Sequence, residues 1–145
     1  MSACVFCEIV AGRAEASIVR EDARTLAFIG FRQPTDSHVL VVPKRHVETI
    51  HGLDDDDAAA LMQAAVRVAR ALDAAVPMQG LSLWQSNGPA AWQEVPHVHL
   101  HLLPRRTGDG LLEIYPDGEP ATPPRAALDA MAAKLRAALV DRADP

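Results

Sequence analysis

The sequence predicts an α+β domain, and three observations carry the prediction. Short β-prone runs recur with period two, two longer stretches recur with the helical period, and strand and helix alternate too rarely for a doubly wound parallel sheet. The most informative run is Pro96-His97-Val98-His99-Leu100-His101-Leu102-Leu103-Pro104, where three histidines alternate with Val98, Leu100 and Leu102. As a strand it turns all three imidazoles to one face and the aliphatic residues to the other, into a core. Pro96 and Pro104 bracket the run, as expected of residues that cannot sit inside a central strand.

The remaining elements follow in order. Residues 4–12 read as a short helical turn ended by Gly12. Ser17-Ile18-Val19-Arg20 and Thr25-Leu26-Ala27-Phe28-Ile29 form a hairpin about Glu21-Asp22. Gln33 to Ser37 is a loop by composition. His38 to Pro43 is nearly continuous apolar sequence, the signature of a strand covered on both faces. Asp54-Asp55-Asp56-Asp57 then caps a helix over Ala58 to Val76, with acid at the positive end of the dipole and Arg67 and Arg70 toward the other. Leu61, Ala65, Val68 and Leu72 face the sheet, and Pro77 stops the helix. Gly80 to Ser86 alternates as a strand, and the loop Asn87 to Val95 leads into the histidine run. Thr122 caps a final helix with proline in its first turn, over about 123–140. Its apolar side runs Leu128, Met131, Leu135, Leu139.

At 145 residues the chain is the size of one domain, and 49% apolar with 23% charged residues is an ordinary globular composition. A net charge of −5 argues against a duplex nucleic-acid binder, though local groups can still hold a small phosphorylated ligand. No stretch approaches the length of a membrane span, and the amino terminus lacks a secretory signal pattern, so the expected location is cytoplasmic.

The two cysteines, Cys4 and Cys7, are spaced C-x-x-C. With no strand before the pair, a metal site fits better than a thioredoxin-like redox motif. Two thiolates make half of a tetrahedral zinc shell, so the other ligands must come from elsewhere in the chain, and histidine is the candidate. One zinc gripped by His97, His99 and His101 is geometrically poor, because bases two apart on a strand are about 6.5–7 Å apart. Three rings sharing separate jobs is the better reading, one as nucleophile and one donating protons to phosphate oxygens or the leaving group. Imidazole titrates near neutrality, and phosphorus is the natural electrophile for a row of such donors.

These residues resemble the histidine triad (HIT) superfamily of nucleotide hydrolases and transferases. The resemblance rests on the H-x-H-x-H run, on Cys4 to Gly12, on HVLVVPKRHVETI from His38, and on QSNGPAAWQEVPHVHLHLLPR; it covers about residues 4–108. It implies a single HIT domain over 1–145, with a generic segment 109–145, and roughly a five-stranded antiparallel sheet with two main helices. It further implies a homodimer that binds a purine nucleotide, a nucleoside phosphoramidate or a dinucleoside polyphosphate. By motif position His99 is similar to the nucleophile that takes the nucleotidyl group, and His101 to the ring that contacts phosphate and assists the leaving group. His38, Asn87 and Gln93 match substrate-binding positions. Members with the amino-terminal C-x-x-C are zinc proteins, and the carry-over makes Cys4, Cys7, His46 and His97 the ligands of a structural zinc.

Two departures stand out. Gly30 replaces an aspartate that grips ribose in many relatives, and Glu94 replaces a small hydroxyl residue, bringing negative charge near a phosphate unless it points away or meets a cation. Those departures sustain an alternative, a nucleotide-binding module with little turnover. A third possibility is metal-dependent hydrolysis through an H-x-H pair. Trp92 has two readings, a pocket wall or a packed loop anchor.

Overall fold

The computed structural model describes residues 4–140, and the chain divides into two compact units, Met1–Asp109 and Gly110–Pro145. In the first unit a five-stranded antiparallel sheet comprises β1 (Ile18–Glu21), β2 (Thr25–Ile29), β3 (Val39–Pro43), β4 (Gly80–Trp84) and β5 (Leu100–Arg105), in spatial order β1-β2-β3-β5-β4. Alternation along the central strands sorts their side chains into two cores. Ala27, Val39, Val41, Leu100 and Leu102 meet Leu61, Ala64, Ala65, Val68 and Leu72 of α2 (Asp55–Ala75). Leu26, Phe28, Leu40 and Val42 meet Phe6 and Ile9 of α1 (Val5–Val10) on the opposite face. All five residues of β3 are buried, as its apolar run predicts. In the second unit α3 (Arg125–Val140) leaves Met131, Leu135 and Leu139 exposed. Among the described residues no helix is long and apolar enough to cross a membrane.

Several boundaries differ from expectation, and three of them turn on prolines. The histidine strand starts only at Leu100. Upstream, β3 has ended at Pro43, and the Pro43 carbonyl accepts from the His97 ring instead of from a backbone amide. Val98 donates its N–H to the Val47 carbonyl and packs in the core on the α2 side, while His97 meets Phe6 on the opposite face. Pro104, expected to close the strand, lies inside it opposite Leu81. The ladder to β3 ends at Val39 opposite Leu102, so the missing proline N–H leaves no β3 acceptor unpaired. Helix α3 begins at Arg125, beyond Thr122. A residue preceding proline is pushed out of the α region, which keeps Thr122 and Pro123 outside the helix. The Pro124 carbonyl then accepts the first turn's amides from Ala127 and Leu128.

The aspartate run does more than cap. Asp54 is the N-cap and accepts from the Asp57 amide at 2.8 Å, so the helix opens at Asp55, before Ala58. Asp57, with a side chain only 5% exposed, accepts from Arg24 at 2.9 Å and Arg45 at 2.7 Å. These join the β1–β2 turn and the segment after β3 to the start of α2. Burial opposes ionisation of Asp57, yet the two guanidiniums overcome it and hold the carboxyl below its usual range. The stability this pairing adds is therefore complete above about pH 4 and is lost as pH falls through the depressed native value. Asp57→Asn should cost about 2–3 kcal/mol at pH 7, judged from hydrogen bonds to charged groups. In urea titrations the gap to the parent protein should close as the pH is taken below about 4.

Candidate active site and metal centre

The histidines emerge on the face of the sheet that carries α1, and each is oriented by a different neighbour. His97 is fully buried, and its Nε2 lies 2.8 Å from the Pro43 carbonyl oxygen. His99 places Nδ1 2.7 Å from the carbonyl of His97. His38 places Nδ1 3.0 Å from the carbonyl of Arg32, and its Nε2 lies 3.0 Å from Nδ1 of His101. A carbonyl can only accept, so the nitrogen facing it must carry the hydrogen. That rule fixes the whole pattern. His97 keeps a lone pair on Nδ1 and His99 keeps one on Nε2. His38 accepts at Nε2 from His101, which leaves the neutral His101 ring a lone pair on Nε2 as well.

Packing holds the rings in place. Phe6 meets both His97 and His99 edge-on, with centroids at 5.8 and 5.2 Å. His101 stacks on Trp84, its cross-strand partner, at 4.2 Å, and its centroid is 4.7 Å from that of His99. Burial first, and then the neighbouring imidazoles of His99 and His38, push the His101 pKa down to about 3. Burial likewise lowers His99. His99 and His101 are thus neutral rings at physiological pH.

The loops around the rings are braced from within. Gln33 accepts from the His38 amide and donates to the carbonyls of Gly30 and His38. At Gly30 an added Cβ would lie 3.1 Å from His38 Nδ1, so glycine lets the backbone run close against that ring. Asn87 accepts from the Ile50 amide, while Gln93 accepts from the Gly88 amide and donates to the Glu48 carbonyl. Both amides therefore tie the 85–95 loop to the segment after β3. His99, His101 and His38 form one cluster; Asn87 and Gln93 sit on the adjoining loop. Glu94 meets a cation, its carboxylate bonding Arg32 at 2.5 Å across the two loops.

Cys4, Cys7, His46 and His97 converge at the other end of the histidine row, with ligand atoms all within 4.8 Å of one another. Their spacing can be tested against a tetrahedral ion. Bonds of about 2.3 Å to sulfur and about 2.0–2.1 Å to nitrogen set N···N edges of ~3.3 Å and N···S edges of ~3.5 Å. His46 and His97 Nδ1 are 3.3 Å apart, and three of the four N···S distances are 3.5 Å (Cys4–His97), 3.3 Å (Cys7–His46) and 3.6 Å (Cys7–His97). The donor set fits zinc. His97 also has the outer-shell partner such ligands need, because the Pro43 carbonyl orients the ring with Nδ1 toward the other three. Burial, and then the adjacent Cys4 sulfur, push the Cys7 thiol up, and a cation held by the four donors would act in the opposite direction, because ligating thiols are deprotonated. With four protein donors the shell would be closed, and its contribution structural: pinning α1 against the histidine segment.

Three site residues lie outside the sequence reading. Phe6 was flanked by recognisable ligands, and a helical turn through Cys4 and Cys7 could have pointed it inward. Trp84 depends on the β4–β5 register, and Arg32 acts on His38 through its backbone carbonyl; neither leaves a signal in side-chain type.

Comparison with known proteins agrees with this geometry. Residues 11–108 match the family model described as HIT domain. Protein hit of Bacillus subtilis strain 168 is 39% identical over 113 residues, covering 77% of this chain and 78% of that protein. Adenosine 5'-monophosphoramidase of Saccharomyces cerevisiae is 32% identical over 119 residues, covering 81% and 73% respectively. The crystal structure of a Zn-bound histidine triad family protein from Mycobacterium smegmatis superposes with a TM-score of 0.71 at 34% identity, over 94% of this chain and 97% of that one. With its ordered row of histidines and its Cys4–Cys7–His46–His97 cluster, the chain belongs to the HIT family, among its zinc-type members.

Proposed function

We propose that the protein is a nucleotide hydrolase or nucleotidyl transferase acting at the α-phosphorus of nucleoside phosphoramidates or dinucleoside polyphosphates, with His99 as nucleophile. The observation that carries this reading is the 2.7 Å bond from His99 Nδ1 to the His97 carbonyl, which leaves a lone pair on Nε2 beside His101. The yeast phosphoramidase relative supports the same reaction class. Nε2 attacks phosphorus, the bond to the leaving nitrogen or oxygen breaks, and a histidine–phosphorus bond forms. Water or another acceptor then attacks phosphorus and returns the neutral ring.

Neutral rings suit this sequence. His99 needs no deprotonation before attack, and lowered histidine pKa values keep the nucleophile available below pH 6.5. A phosphate anion beside His101 raises its proton affinity by Coulomb attraction, so that ring gains its proton only when substrate is present and can pass it to the leaving group. His38 holds His101 in register, and Gln93 and Asn87 shape the phosphate-side loop. Zinc, when bound by Cys4, Cys7, His46 and His97, supplies rigidity. A homodimeric state and a cytoplasmic location belong to this proposal as family expectations.

The test is a panel of adenosine phosphoramidate and dinucleoside polyphosphates, with zinc measured on the same sample. Nucleoside monophosphate should be released, and an acid-labile nucleotidyl-protein should be trapped on quenching during turnover. Tight nucleotide binding without that adduct would favour a binding module instead. The Arg32–Glu94 pair counts against that alternative, since it neutralises the charge that would have repelled phosphate.

A further inference from the structure

We infer that Trp92 is a stacking platform for the distal base of a dinucleoside polyphosphate, and so a specificity-determining residue for the leaving group. The inference rests on the nucleotidyl-transfer reading above and selects one substrate class within it. Trp92 has φ +60° and ψ 36°, a left-handed backbone that glycine adopts freely and a bulky residue does not. The residue is 89% exposed, so it is not a packed loop anchor, the second of its two sequence readings. The residue carries backbone strain and exposed apolar surface together, and folding gains nothing from either. Strain of this kind is expected where a side chain is held ready for a ligand.

Its position names the ligand. The amides of Trp92 and Gln93 close a short turn onto Pro89 and Gly88, and Gln93 anchors that turn to Glu48. Two residues further, Glu94 bonds Arg32, whose carbonyl holds His38, which in turn bonds His101. The indole therefore stands on the rim of the nucleotidyl site, about 7 Å of chain from the Glu94–Arg32 bridge. A phosphoramidate of ammonia ends at the phosphorus and cannot reach it. A polyphosphate leaving group that carries a second base is long enough, and every base offers a face to an aromatic ring. The rim does not repel such a chain, because Arg32 cancels Glu94.

The experiment compares the parent protein with Trp92→Gly and Trp92→Phe on diadenosine tetraphosphate and adenosine phosphoramidate. Trp92→Gly should raise KM for the tetraphosphate about tenfold relative to the phosphoramidate, with little change in the kcat ratio; Trp92→Phe should keep most of the discrimination. The Gly variant should melt no lower than the parent, because the left-handed position suits it. Diadenosine tetraphosphate, but not AMP, should quench an indole signal that disappears in Trp92→Gly. A KM ratio that stays within twofold would overturn the subsite, whether both constants move or neither does. So would a fall in oligomeric mass in Trp92→Gly, which would assign the ring to a subunit contact. If the parent turns over neither compound, the nucleotidyl-transfer reading fails, and the quench alone then decides whether Trp92 meets the second base.

Discussion

His99→Ala is expected to reduce turnover of adenosine phosphoramidate by about 10⁴- to 10⁶-fold, the scale seen when a covalent nucleophile is removed. The neighbouring rings have other tasks. His97 directs its lone pair into the cysteine cluster, and His101, held at Nδ1 by His38, is assigned to the leaving group in the same proposal. Nucleotide binding should survive within a few-fold, because Gln33, Asn87 and Gln93 brace the surrounding loops without using the His99 ring. His99 is buried, so the cavity left by alanine needs a folding control, and a near-normal nucleotide affinity supplies one. No nucleotidyl adduct should form in this variant. Turnover within tenfold of the parent would reject His99 as the attacking group.

The second large effect concerns the metal cluster. Helix α1 has six residues and an N-cap, Cys4, whose side chain makes no capping bond. Such a segment does not persist by helix propensity alone. What secures it is the burial of Phe6 and Ile9 and the convergence of Cys4 and Cys7 on His46 and His97. Cys7→Ser should abolish zinc binding. If the segment then detaches, exposing Phe6 and Ile9 costs about 3–6 kcal/mol at ~1.5–3 kcal/mol per large side chain. Amide exchange should be fastest over residues 5–14. Activity should fall with the structure, since Phe6 packs on the His99 ring. Chelator treatment of the parent should follow the same slow course, whereas immediate loss of activity would point to a catalytic metal. A Cys7→Ser protein that lacks zinc yet melts with the parent would show that the cluster does not hold α1.

The fold was legible in the sequence where periodicity reports burial directly. Leu61, Ala65, Val68 and Leu72 pack where the helical spacing puts them, and β3 is covered on both faces as its unbroken apolar run requires. Boundaries were less legible because they depend on which partner each backbone group finds. The histidine strand begins late because a ring, not an amide, takes the Pro43 carbonyl, a competition invisible in a linear pattern. The aspartate run illustrates the same limit. Its capping role follows from charge at a helix start, while the burial of Asp57 between Arg24 and Arg45 needs three distant segments placed in space. At the site, residue type and spacing marked the two cysteines, and the family resemblance singled out the histidines. Trp84 and Phe6 escaped notice because stacking depends on register and on the direction of a short helix.

The three carbonyls that set the imidazole hydrogens belong to Pro43, His97 and Arg32, and all are main-chain atoms. Side-chain replacement at position 32 leaves its carbonyl in place, and so leaves the tautomer of His38 undisturbed. Chemistry and selectivity are consequently written in separate alphabets, one in the peptide backbone and one in the outward-facing residues at 32, 92 and 94. A protein engineer could redraw the second to accept new leaving groups while the first keeps the attacking nitrogen ready.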